Sequence, residues 1–222
     1  MNHQWEELQV EIKGGQLKIL NNAELYEIHL ATLEILERVG VKVSEPKALL
    51  MLKDAGASVD SKEKIAKIPR YLVEEAIKKA PSGFTLFGRD PKYKLRLQDK
   101  RVYFSMGGQS VNVLDLETGK HRASTLKDCE NFYRLADALE NVHHTTIVVA
   151  PRDVPDSVAH VHELFVGFRS TTKTLDGETY GQAAVLDSIR MASVVAGGEE
   201  ELKKRPLLLG FHNPISPLQH SE

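Results

Sequence analysis

The chain has 222 residues, and 29 Lys plus Arg stand against 31 Asp plus Glu, a net charge of −2. A balance this close to neutral argues against nucleic acid or an anionic membrane as the main partner. A hydrophobic fraction of 41% with 27% charged residues is that of a soluble globular protein, which excludes general disorder. One cysteine, Cys129, excludes an internal disulfide and a cysteine-based zinc site within the chain, and it fits a cytoplasmic location. Residues 1–12 are polar and mixed in charge, with no apolar signal core. The longest strongly apolar run, Ile147 to Ala150, is far too short to span a bilayer.

The opening dozen residues show no periodicity and read as an arm that packs on something else. Asn21 with Glu24 is a helix-start pattern. Leu25, Ile28, Thr32, Ile35, Leu36 and Val39 then recur at helical spacing up to Gly40. Ser44 with Pro46 opens a second helix carrying Ala48, Leu49, Leu52 and Ala55, with Gly56 as its stop. Pro69 starts a third, with Leu72, Val73, Ala76 and Ile77, closed by Pro81. The stretch between them, residues 60–68, is charged and reads as exposed.

After Pro81 the apolar period falls from 3.6 to 2. Residues 84–86, 94–97 and 102–104 read as strands, and residues 111–116 with the segment after Gly119 read as a hairpin turning at Glu117-Thr118-Gly119. From Arg101 a strand–helix alternation takes over. Strand 102–105 precedes a helix that starts at Thr125 and shows Cys129, Phe132, Ala136 and Leu139 on one face. Strand 145–150 leads to a helix through Val158, Val161, Phe165 and Phe168. The extended piece 173–175 leads to a helix through Ala184, Leu186, Ile189, Ala192 and Val195, closed by Gly197-Gly198. The charged stretch 199–205 then leads to strand 207–210. Four strands joined by helical crossovers imply a parallel α/β sheet. Eight are needed to close a (β/α)8 barrel in roughly 250 residues. No Gly-x-Gly-x-x-Gly follows any strand, so an open doubly wound sheet, if that is the fold, would not be a dinucleotide binder. The expectation is therefore an α/β fold: the first half of a (β/α)8 TIM barrel at 101–222, preceded by a helical and β-hairpin region at 1–100. The chain reads as the front part of something longer.

In a parallel barrel the loops at the carboxyl ends of the strands carry the chemistry. These loops hold Gly107 and Gly108, which allow a backbone to approach a ligand, and Asp176 and Glu178, a carboxylate pair suited to a cation or to acid–base work. They also hold His212 and Asn213, a polar pair at the mouth. Each has a plain structural alternative: a bulge before the hairpin, a solvated turn, or a histidine satisfied within its loop. Lys173, if desolvated, could form a Schiff base with a carbonyl substrate, or simply face solvent or a carboxylate. His160 and His162 point to different helix faces, His143 and His144 are adjacent before a strand, and no His-Glu-x-x-His occurs. No metal site is expected.

Several runs together resemble one family: Ala31 to Val43, Leu52 to Ala57, Ile68-Pro69-Arg70 to Ala80-Pro81, Phe87 to Pro91, Gly107-Gly108, Asp115 to Gly119, Leu135 to Leu139, Thr171-Thr172-Lys173 and Ser216 to His220. In this order and spacing they resemble the N-terminal portion of the trimethylamine methyltransferase family. The resemblance implies a TIM-barrel enzyme that moves a methyl group from a methylated amine to the cobalt of a corrinoid protein. It implies trimethylamine as substrate for members with pyrrolysine, and quaternary amines such as glycine betaine for members without it. The pyrrolysine position lies beyond residue 222. No cofactor is then bound directly, the corrinoid (cobalamin) coming from a cognate partner protein, and a homo-oligomer is expected. No catalytic residue carries over; Gly107, Gly108, Asp176, Glu178, His212 and Asn213 stand as substrate-binding candidates by position. Two other readings compete: a Schiff-base lyase using Lys173, and a non-catalytic truncated barrel that acts as an assembly or binding module because half a barrel exposes sheet edges.

Overall fold

The computed structural model describes Ile12–Lys13 and residues 17–177, 179, 181–211 and 213–220. In chain order its elements begin with β1 (Ile12–Lys13), α1 (Asn22–Arg38), β2 (Val41–Val43), α2 (Pro46–Asp54), β3 (Ser58–Asp60), β4 (Ile65–Lys67) and α3 (Arg70–Lys79). An extended region follows: β5 (Phe84–Phe87), β6 (Lys94–Leu97), β7 (Arg101–Val102), β8 (Asn112–Leu114) and β9 (His121–Ala123). Then come α4 (Leu126–Ala138), β10 (His144–Thr145), α5 (Ala159–Ser170), β11 (Thr174–Gly177), α6 (Gly181–Ala196), α7 (Glu199–Lys204), β12 (Leu208–Gly210) and β13 (Gln219–His220). Contacts divide the chain into two compact units, one of residues 1–14 and 83–211, the other of residues 15–82 and 212–222.

In the second of these units α1 begins as its sequence requires. The Asn21 side chain accepts from the backbone N–H of Ala23 and Glu24, and the Glu24 carboxylate accepts from Asn21 N at 2.7 Å, a reciprocal capping box. Gly40 ends the helix at φ +84°, and a Cβ there would sit 2.6 Å from the Ala66 carbonyl oxygen, so only glycine fits. α2 is capped by Glu45, whose carboxylate accepts from Lys47 N, and not by Ser44 as the Ser-x-Pro spacing suggested. The charged stretch 60–68 is also not simply exposed. Most of it belongs to the β3–β4 hairpin, which places Ala66 fully out of solvent. The sheet runs β13-β2-β4-β3, with β13 parallel to β2, and Val43, Leu49 and Ala66 form its core. His220 is on β13.

The larger unit is mixed α/β. β10, β11 and β12 form a parallel sheet in that order, and Ser105 joins its edge through a parallel bridge to His144. The described strands do not close into a barrel. β5–β6 and β8–β9 are antiparallel hairpins, and β7 pairs with β1. The expected strand 102–105 thus divides between β7 and Ser105. The expected strand 145–150 narrows to β10, because the chain beyond Thr145 turns to the loop before it. Thr146 Oγ1 donates to the Met106 and Gly107 carbonyls, and Ser110 bonds on both sides of Val149. The stretch 199–205 is mostly helical as α7, with Lys203–Glu200 and Lys204–Glu201 pairs along it.

α4, α5 and α6 bury Cys129, Tyr133, Leu164, Phe168 and Ala192 against Ile147, Val149, Leu175 and Leu207. The buried stripes share Phe168, Ala184 and Ala192 with the apolar ones and otherwise differ. On α5 they are Glu163, Leu164, Gly167 and Phe168, while Phe165 is 50% exposed beside the Arg169 guanidinium. On α6 they are small residues, Ala184, Ser188, Ala192 and Ser193, while Leu186 and Ile189 are over 40% exposed. Close approach is the reason: a Cβ on Gly177 would lie 3.6 Å from Ser188 Cβ, and one on Gly167 would lie 3.3 Å from the Leu175 side chain. The Cys129 thiol donates to the Val149 carbonyl, and burial pushes its pKa up to about 12, so it is an inert packing group.

α4 is held at both ends. At its start Thr125 and Asp128 make a capping box, and Arg122 grips both Asp128 oxygens at 2.7 and 2.9 Å. Arg122 therefore holds the Asp128 carboxyl well below the usual carboxylate range. At its end Asp137 accepts from Thr171 Oγ1, Thr172 N and Thr172 Oγ1. Burial opposes ionisation of Asp137, yet these donors keep its carboxyl below the ordinary value. Lys173 completes the joint. Its Nζ donates to the carbonyls of Ala136 in the last turn, Leu139 at the cap and Val142 just beyond it, at 2.6–2.7 Å, by the negative end of the helix dipole. Lys173→Met takes a charged donor from three carbonyls, of which only that of Leu139 keeps another, the Val142 N–H, among the bonds described. Urea unfolding should show a loss of about 3 kcal/mol; a loss below about 1 kcal/mol would remove this joint from the account.

Candidate functional site

The two faces of the parallel sheet follow from β11. Leu175 packs among the helices, and Gly177 abuts Ser188 of α6. Alternation then sends Thr174 and Asp176 to the face away from the helices. His144 is in register with Thr174, so it shares that face. The sequence candidates at this carboxyl edge come from the strand ends and the loops that follow them.

Asp176 and His144 meet there. His144 Nε2 lies 2.5 Å from Asp176 Oδ1, and both side chains are largely buried, at 9% and 14% exposure. A carboxylate can only accept, so Nε2 carries the hydrogen, and in a neutral ring Nδ1 is left as a bare acceptor. That Nδ1 is buried without a hydrogen-bond partner among the described residues, and so is Oγ1 of its register partner Thr174. The same face thus holds one carboxylate and two unsatisfied polar atoms.

Gly107 and Gly108 are in the loop that Thr146 holds to the segment after β10. A Cβ on either would meet nothing within 4 Å, so neither packing nor a left-handed backbone demands glycine, and the loop surface there is open. Thr179 Oγ1 donates to the Phe211 carbonyl, tying the segment after β11 to the segment after β12. Glu178 and His212 lie outside the described residues. Asn213 is exposed and belongs to the unit of residues 15–82 and 212–222. The structure therefore brings Asp176 and the Gly107 loop to one sheet edge, and adds His144 and Thr174.

Lys173 is not a site residue. It alternates with Thr174, faces the helices, and spends all three N–H bonds on backbone carbonyls. Burial lowers its pKa, but the geometry offers no room for a carbonyl substrate on a nitrogen so engaged. The adjacent histidines diverge. His143 Nδ1 accepts from Phe104 N, and the ring lies against Tyr103 and Phe104. Burial, with Lys173 nearby, pushes the His143 pKa down. His160 pairs with Asp187 at 3.2 Å between α5 and α6. Among the described residues no cluster of three or more His, Cys, Asp or Glu side chains could hold a metal ion, and no helix is long and apolar enough to cross a membrane.

His144 was the residue that sequence reasoning missed. In sequence it is half of an adjacent histidine pair, and its signal is positional: a polar residue at a parallel strand, one strand away from an acidic residue two positions past the register partner.

Comparison with known proteins gives this site its context. Residues 1–222 match the family model for trimethylamine methyltransferase (MTTB), and the chain belongs to that family. The trimethylamine methyltransferase MttB of Desulfitobacterium hafniense (strain DSM 10664 / DCB-2) is 41% identical over 208 residues, covering 94% of this chain and 42% of that protein. The glycine betaine methyltransferase of D. hafniense (strain Y51) is 32% identical over 213 residues, covering 94% and 44%. The MttB of Methanosarcina thermophila is 34% identical over 215 residues, covering 95% and 44%. The chain spans about two-fifths of the length of these relatives.

The open space at Gly107 and Gly108 makes a direct prediction. Gly107→Ala and Gly108→Ala should each stay within about 0.5 kcal/mol of the parent in urea unfolding. Gly88→Ala, whose methyl would sit 2.4 Å from the Thr172 carbonyl oxygen, should lose about 1–3 kcal/mol. Equal losses at all three would contradict the open loop.

Proposed function

We propose that this chain is the first portion of a (β/α)8-barrel methyltransferase that moves a methyl group from a methylated amine to the cobalt of a corrinoid protein. The observation that carries the reading is family membership over the whole chain, joined to a carboxylate, Asp176, at the carboxyl edge of a parallel sheet. The order Ser105, β10, β11, β12 along that sheet is the order successive barrel strands would take. The amine is trimethylamine or a quaternary amine such as glycine betaine, the substrates in the names of the relatives. A cognate corrinoid protein as partner, a homo-oligomer and a cytoplasmic location go with this reading.

The chemistry sets what the chain must supply. Methyl transfer breaks a C–N bond, and the electron pair leaves with the amine. A quaternary ammonium departs as a neutral amine and needs no general acid; trimethylamine reaches the same state once protonated. The reduced cobalt of the partner supplies the nucleophile. The chain's own task is to hold a cation in place, and a partly buried carboxylate does so by charge. Asp176 takes that role in this reading, with the Gly107–Gly108 loop lining the approach.

The test uses the polypeptide that carries this chain through to the length of its relatives. With reduced corrinoid protein and trimethylamine or glycine betaine under anaerobic conditions, methylation of the cobalt should follow spectroscopically. Asp176→Asn should lower kcat/KM at least about tenfold, as loss of a charge partner implies. No transfer from either amine would overturn the proposal.

A further inference from the structure

The amino edge of the parallel sheet, opposite the edge that carries Asp176, has a cavity of about 60 Å³ lined by Arg89, Val195, Ala196, Glu201, Arg205 and Leu207. Leu207 leads into β12, and Arg89 Nη2 donates to the carbonyl of Thr171, just ahead of β11. One water needs about 10–15 Å³, so the space takes several waters or one small ion. Arg89 is exposed, which leaves the cavity open to solvent on that side. The fold brings the two arginines together. Arg205 Nη2 donates to the carbonyl of Gly88, the residue before Arg89, and its guanidinium lies over the Phe87 ring. Each arginine thus reaches only a backbone carbonyl, at 3.4 Å. Arg122 shows what an arginine with a purely structural task does in this fold: it holds both Asp128 oxygens at 2.7 and 2.9 Å. The neighbouring carboxylates are engaged elsewhere. Asp90 pairs with Lys92, and Glu201 pairs with Lys204, which holds the Glu201 carboxyl below its ordinary value. Among the described residues neither Arg89 nor Arg205 has an ion-pair partner. Two guanidiniums on one small cavity repel each other. An oxyanion between them removes that cost and gives both forks bidentate acceptors.

We propose that Arg89 and Arg205 form a binding site for a dianionic phosphoryl group, either inorganic phosphate or a phosphomonoester. With Glu201 matched by Lys204, two positive charges remain, and a dianion neutralises both where a monocarboxylate does not. The carboxyl end of α6, at Val195 and Ala196, also borders the cavity, and helix carbonyls attract cations. Among the described residues no hydrogen bond joins either guanidinium to them, so the α6 end does not use up the two forks. A phosphoryl group here ties the β5–β6 hairpin, through Arg89, to the segment between α7 and β12, through Arg205. It braces the amino edge and leaves the carboxyl edge free, so the site is independent of the methylated-amine reading.

Calorimetric titration of the chain with sodium phosphate, at low salt and about pH 8 where the dianion predominates, tests the site. The parent should bind with a Kd of about 1 mM or tighter, and excess phosphate should raise its thermal midpoint. Arg89→Ala and Arg205→Ala should each weaken binding at least about tenfold, the worth of a hydrogen bond to a charged group. Arg205→Lys keeps the charge without the fork and should bind more weakly than the parent. Glu201→Gln, which removes the carboxylate from the cavity, should bind at least as tightly as the parent. Arg134→Ala removes an exposed guanidinium that pairs with Glu130 on α4, and it should leave the Kd unchanged. Acetate should bind more weakly than phosphate. Methyl phosphate within about threefold of phosphate assigns the site to phosphomonoesters as well as to the free ion, and weaker binding of it assigns the site to the free ion. If the arginines serve only the end of α6, alanine lowers the thermal midpoint while phosphate moves neither parent nor variant, and the proposal falls. It falls as well if the parent does not bind, if Arg134→Ala loses as much as Arg89→Ala, if Glu201→Gln binds more weakly than the parent, or if acetate outcompetes phosphate. Should Arg205→Ala not fold, Arg89→Ala at its exposed position and Arg205→Lys decide by the same readings.

Discussion

The Lys173 joint sets the rest of the larger unit. Three carbonyls at and just beyond the end of α4 receive one ammonium, and Asp137 on the same helix receives the hydroxyls and amide of Thr171 and Thr172. Charge and hydrogen bonds therefore fix which side of the strand Lys173 faces. Side chains alternate along a strand, so the positions that follow have no freedom. Leu175 must enter the helical core, and Thr174 and Asp176 must leave it. A slip of one residue would bury Asp176 among α4, α5 and α6 and take Leu175 out of that core. The register of β11 against β10 then places His144 opposite Thr174, and the dyad with Asp176 follows from it.

The same joint explains a family motif. Thr171-Thr172-Lys173 is one of the runs on which the resemblance to trimethylamine methyltransferases rests, and its chemistry is architectural. A desolvated lysine near the start of a strand suggests a nucleophile from sequence alone. Its partners show a helix cap. The catalytic suggestion passes instead to the residues that alternate with it, where an acidic group and a histidine meet on the face away from the helices.

Local signals were legible in the sequence where one residue type satisfies a backbone need. Asn21 with Glu24, Thr125 with Asp128, and Gly40 all mark helix ends where they were read. The hairpin turning at residues 117–119 was legible for the same reason. Signals that depend on a partner element were not. Apolar stripes find Phe168, Ala184 and Ala192 but miss Leu164, Gly167 and Ser188 on the buried faces of α5 and α6, where Gly167 and Ser188 lie at close approaches. The β3–β4 hairpin hides among charged residues, its core contribution being one alanine, Ala66. Asp176 could be chosen by its place at a strand end, but His144 could not, since its role depends on the register between two strands 30 residues apart in sequence.

The central claim is that an oriented His144–Asp176 pair stands on the face of the parallel sheet away from the helices. Nitrogen-15 correlation spectra of the histidine rings, assigned with Asp176→Asn, test it most directly. The expected result is a His144 ring protonated at Nε2, with that hydrogen slow to exchange and lost to rapid exchange in Asp176→Asn. A ring protonated at Nδ1, or an Nε2 hydrogen indifferent to Asp176, would contradict it.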